Sequence, residues 1–210
     1  MRNLMQEDIK IFSYLSKLQA AFTAATTDII TSASHGLVEG DLIHVASSTT
    51  LPAGLSASTD YYVRDVTTNT FKVSATLGGE AVNVTSTGTG THTFYLKGKK
   101  VLVSDASTVV LSVNSYNSAN LKLQVKGSTQ DTVDFNAAAS PTNRWDYVSI
   151  ADLNNNSEKY SGDNGYDITG VDENLLFEIN VNGLRWITVD VPSATWSVGT
   201  IDIKASIYGN

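Results

Sequence analysis

Between Asp28 and Leu96 the chain meets a turn-forming residue every few positions, and this spacing decides most of what it can become. The breaks are His35-Gly36, Glu39-Gly40-Asp41, Pro52-Ala53-Gly54, Thr68-Asn69-Thr70, Gly78-Gly79 and Gly88-Thr89-Gly90. Each holds a residue that tolerates positive φ or fixes a bend. A helix needs several uninterrupted turns, so this stretch cannot form one of useful length. The segments left between breaks are Ile29-Ile30, Leu42–Val45, Tyr61–Val63, Phe71–Ser74 and His92–Leu96. They are rich in β-branched and aromatic residues and read as strands of a small barrel-like module.

The rest of the chain extends that reading. Beyond the lysines at 97, 99 and 100, strand candidates run from Val101 to Ile207. Leu121–Val125 and Thr200–Ile207 alternate apolar and polar residues, which predicts one buried face and one wet face. Asn182-Gly183, between Phe177–Val181 and Leu184–Val191, is a hairpin signal. The expected fold is mainly β, with a C-terminal antiparallel β-sandwich. One helix is also expected. Leu4, Met5, Ile9, Phe12, Leu15, Leu18 and Phe22 follow a 3.6-residue period, and Asn3 with Gln6 fits a capping box. The expected division is a helical segment at 1–22, a small β module at 23–97 and a sandwich at 98–210.

Composition narrows the function. With 41% hydrophobic residues the chain can bury a core, while only 17% are charged and the net charge is −7. A nucleic-acid binder needs a basic stripe, and Lys97, Lys99 and Lys100 are too short a cluster to supply one. There is no cysteine, which removes thiolate metal sites and thiol nucleophiles. No apolar run approaches a membrane span of ~18 residues. The first residues interleave acids with apolar side chains, unlike a signal peptide, so synthesis in a cytoplasm is expected.

The histidine-containing string SHGLVEGDLIHV (34–45) poses the sharpest chemical question. His35, His44 and a carboxylate could hold a metal if they converged. The plainer account is that Gly36 and Gly40 turn the chain and Asp41 bonds the backbone of the bend. A weak calcium-loop register places Asp152, Asn154, Asn156 and Asp163 at ligand positions, but Ser157 replaces the glycine such loops need. Nothing singles out a carboxylate pair among Asp134, Asp146, Asp152, Asp163, Asp167, Asp172, Glu173 and Glu178. No Gly-x-Ser-x-Gly elbow is present. No enzyme and no cofactor are expected. Trp145, Trp186 and Trp196 are core residues, an interface or a sugar-stacking platform, with Trp196 the one expected at the surface.

One set of signals resembles a known module. The turn at His35–Asp41, the Leu-Pro-x-Gly-Leu turn at Leu51–Leu55, the strand Tyr61–Val63, Asn69–Phe71 and Gly78-Gly79 resemble, in order and spacing, a small β module of tailed-bacteriophage virion proteins. More loosely, Gly183–Val189 and Gly199–Ile203 resemble the sandwiches that decorate phage heads and tails, although Asn143-Arg144-Trp145 lacks the usual glycine. The resemblance implies a virion structural part, first of all a capsid decoration or cement protein on the major capsid protein or other virion proteins. It implies a homo-oligomer, with trimers one possibility. The apolar stripe of the expected helix must lie on its own domain, on copies of itself or on another protein, which makes Leu4, Phe12 and Leu15, with the surface Trp196, the interface candidates. The alternative is a tail, baseplate or fibre component whose C-terminal sandwich binds host-surface glycan.

Overall fold

The computed structural model describes residues 3–15, 19–116, 121–135, 137–169, 172–191 and 200–209, with the backbone alone at 7–8 and 12–15. Strands dominate, and none of the described residues is helical. The chain divides into two compact units, Leu15–Lys97 and Met1–Tyr14 with Gly98–Asn210.

The expected N-terminal helix is not there. Residues Asn3–Leu15 form a long strand, β1, and Gln19–Ala24 form β2. The apolar stripe that suggested a helix also carries a two-residue alternation. Ile9 is half-buried and Ile11 buried, while Lys10 between them is exposed. Such short patterns are ambiguous in sequence, and the neighbour that offers pairing decides between them. Here β1 takes the edge of a sheet in the second unit, and β2 joins the barrel of the first.

That barrel closes β2 with β3 (Ile30–Thr31), β4 (Leu42–Ser47), β5 (Asp60–Arg64), β6 (Thr70–Ser74) and β7 (His92–Lys97), in the order β2-β3-β6-β5-β4-β7. Each strand sends alternate residues inward. Ile43 and Val45 of β4, Tyr61 and Val63 of β5, Phe71 and Val73 of β6 and Phe94 of β7 are buried together with Phe22 and Ile30. Phe71 and Phe94 meet edge to face, ring centroids 5.8 Å apart. Burying each such side chain contributes ~1.5–3 kcal/mol relative to leaving it in water. Closure leaves no free edge for pairing with another chain.

The second unit holds two antiparallel sheets. Its remaining strands are β8 (Val101–Leu102), β9 (Thr108–Tyr116), β10 (Leu121–Ser128), β11 (Asp146–Val148), β12 (Ile150–Asp152), β13 (Glu158–Tyr160), β14 (Tyr166–Ile168), β15 (Glu173–Asn180), β16 (Trp186–Asp190) and β17 (Thr200–Gly209). One sheet runs β1-β17-β9-β15-β12-β13, the other β11-β10-β16-β8 with β14 also on β10. In the first, Leu111 stands level with Phe177 and Ala205, and Val109 with Ile179 and Ile207, so three strands bury one continuous aliphatic face.

The Asn182-Gly183 signal marks a real reversal but not a hairpin. Gly183 takes φ +80 and the Leu184 amide donates to the Val181 carbonyl at 2.9 Å. The strands on either side belong to different sheets, β15 pairing with β9 and β12, β16 with β10 and β8. Turn chemistry dictates where the chain bends and leaves the choice of partner to the core.

Candidate functional site

The histidines are each held within their own surroundings. His35 is 1% exposed, its Nδ1 accepts the Leu37 amide at 3.0 Å, and its ring meets Phe71 edge-on with centroids 5.0 Å apart. The Asp41 carboxylate accepts the Val38 amide at 2.9 Å, while Gly36 and Gly40 take φ +72 and +80. Glu39 is exposed at the tip. His44 sits between two inward-facing residues of β4, so it points out of the barrel wall, 3.1 Å from Asp60. His35 and His44 therefore lie on opposite sides of that wall. His92 bonds Ser47 at 2.9 Å and the Thr87 carbonyl at 3.0 Å. Among the described residues no group of three metal-ligating side chains converges.

The calcium-loop register falls on a hairpin. Asp152 is buried at the end of β12 and accepts the Asn154 amide at 2.8 Å. Asn154 accepts the Leu176 amide at 2.7 Å, and Asn156 and Ser157 both take positive φ while the Glu158 amide bonds Asn155. Two successive positive φ values closed by that bond make a type I′ turn. Asp163 lies beyond β13, where its carbonyl accepts from Gln124 at 2.7 Å. The four residues serve separate pieces of backbone.

The interface residues are only partly visible. Leu4 is exposed, Phe12 and Leu15 are described by backbone alone within β1, and Trp196 lies outside the described residues.

A site that alternation does not reveal lies on the outer face of the β10 sheet. Leu121, Leu123 and Val125 point inward as expected, but Gln124, Lys126 and Ser128 on the opposite face are also buried. Two loops cover them. Gln124 donates to the carbonyls of Gly162 and Asp163, Lys126 to that of Phe135 at 3.1 Å, and Ser128 to that of Arg144. The polar face thus serves as an anchor for the loop between Gln130 and Trp145. Lys126 also lies 2.6 Å from Asp190, under the ring of Trp145 at 4.4 Å and beside Tyr147 at 5.6 Å.

Trp186 stands opposite Ser128 on the same face, half-buried. Its indole N–H donates to the Asp131 carbonyl at 3.2 Å, and the Lys100 ammonium lies 5.9 Å from its ring centre. Lys100 reaches the Val133 carbonyl at 3.2 Å. Between Trp186 and the loop lies a cleft of about 540 Å³, lined by Lys100, Asp131, Thr132, Asp134, Thr142 and Ala137 among others.

Neither a family model, nor a curated protein, nor a solved structure matches this chain.

The cleft is therefore read from its own chemistry. Val133 and Phe135 are buried and pin the loop, while Asn143 accepts the Asp134 amide at 2.9 Å and donates to its carbonyl at 2.6 Å. Asp131, Thr132 and Asp134 remain exposed at the rim. The visible clue in the sequence was modest: two tryptophans within reach of a Ser/Thr/Asn-rich loop. Two phenols near these loops are held above the ordinary value of 10.0. Burial raises Tyr147 first, then Asp190, Asp163 and Asp146; burial raises Tyr166 first, then Asp152 and Glu173.

Proposed function

We propose that the chain is a structural component of a phage virion, a decoration or cement protein that binds the major capsid lattice as a homo-oligomer, its two antiparallel sheets stacked as a sandwich. It works by shape and contact. The observation that carries this reading is how the conspicuous polar groups are used. His35, Asp41 and Asp152 each bond backbone within a bend, Asn154 ties its turn to the backbone of β15, and Lys126 holds a loop. The turns that carry the resemblance also fall between barrel strands, His35–Asp41 before β4 and Gly78-Gly79 after β6. A standard interface of ~800 Å² per partner suits the Ser/Thr/Asn-rich, charge-poor surface of such a protein. Gold labelling of an affinity-tagged chain in assembled particles tests it. Label over the head lattice is expected, with particles lacking the protein bursting at lower temperature; label confined elsewhere, or none, counts against it.

The cleft beside Trp186 favours a second reading, a tail, baseplate or fibre component that holds host-surface glycan.

A further inference from the structure

We infer that the cleft between Trp186 and the 131–143 loop is a binding site for a neutral saccharide of one or two rings. The inference takes its ligand class from the second reading but concerns the purified chain, so the position of the protein in a particle does not decide it.

Three observations lead there. The indole is fixed in place, because its N–H is committed to the Asp131 carbonyl and Trp186 itself sits in a paired strand. A fixed, half-exposed aromatic ring offers a flat surface for the C–H face of a sugar at little entropic cost. The loop opposite is held as firmly, through Lys126 to Phe135, Lys100 to Val133 and both amide atoms of Asn143 to Asp134. The volume of about 540 Å³ lies within the ~300–1,000 Å³ of small-molecule sites.

Charge selects among ligands. Asp131 and Asp134 would draw a cation, but Lys100 stands in the same cleft and Arg185 lies 3.3 Å from Asp131. These charges balance, so neither an amine nor an anion finds a field of one sign. What remains is a mixture of acceptors and donors, carboxylates beside Thr132, Thr142 and an ammonium, set around an indole. Hydroxyl groups, which both donate and accept, match such a mixture.

The test is titration of the whole chain, followed by tryptophan fluorescence and ligand-observed NMR. The probes are glucose, galactose, N-acetylglucosamine, lactose and chitobiose, with choline and sulfate as charged comparators. A saturable response to at least one saccharide at millimolar concentration is expected. Trp186→Ala should weaken it at least tenfold and Asp131→Asn at least threefold, while Tyr95→Phe, at an exposed position of the barrel, leaves it within twofold. Should Trp186→Ala fail to fold, Asp131→Asn and Lys100→Gln carry the same test, since both side chains lie at the rim. No saturation with any saccharide, an undiminished response in the rim variants, or a response to choline or sulfate alone overturns the proposal.

Discussion

The ammonium of Lys126 lies 2.6 Å from the carboxylate of Asp190, with side chains 10% and 19% exposed, on the face of β10 that alternation marks as wet. The ion pair is roofed by Trp145, so it joins the sheet to the loop above it. Removing one partner of such a pair leaves the other charge buried. Lys126→Ala should cost ~3 kcal/mol for that reason. Urea unfolding checks it, and the loss should change little between low and high salt, because buried charges are weakly screened.

His35 and His44 should respond unequally to truncation. His35→Ala deletes a buried ring and the acceptor for the Leu37 amide, a loss of ~3 kcal/mol. His44→Ala removes only a part-exposed pair with Asp60, worth under ~1 kcal/mol. Calorimetry with and without zinc supplies a second readout. A ligand bound only by the folded chain would raise Tm, and no such rise is expected.

Gly54 and Gly78 separate backbone strain from crowding. Both take positive φ, +105 and +71. At Gly54 a Cβ would run into the Asn83 carbonyl oxygen, whereas at Gly78 it would meet nothing. Gly78→Ala should cost ~1 kcal/mol from the strained conformation alone, and Gly54→Ala more than ~2 kcal/mol. Thermal unfolding of the two variants side by side decides it; equal losses would mean that the Asn83 backbone yields freely.

Alkaline pH should weaken the two-sheet unit. Tyr147 and Tyr166 have phenols raised above 10.0, by burial first and neighbouring carboxylates second. A raised value means the folded chain holds the proton more tightly than the unfolded one. The stabilisation is complete below the unfolded value and disappears as pH climbs through the folded one. Stability measured by urea should therefore fall above pH ~10, and the fall should shrink in Tyr147→Phe.

Much of the local structure was legible in the amino-acid order. Gly36, Gly40, Gly54, Gly78 and Gly183 all take the positive φ that turn chemistry asked of them, and Ile43, Val45, Tyr61, Val63 and Phe71 alternate inward as their pattern requires. Such features depend on a residue and its near neighbours, and so can be read one window at a time. The partnerships could not be read that way. The stretch Asn3–Leu15 supports a helical and an extended pattern alike, and only its place beside β17 settles which forms. Asn182-Gly183 turns the chain, yet the packing of two sheets determines that the flanking strands do not pair. Lys126 and Trp186 became a buried anchor and a cleft wall because the loop that follows β10 folds back over the face they share. Burial is a property of what lies on the other side of a residue, and the tertiary structure alone supplies that other side.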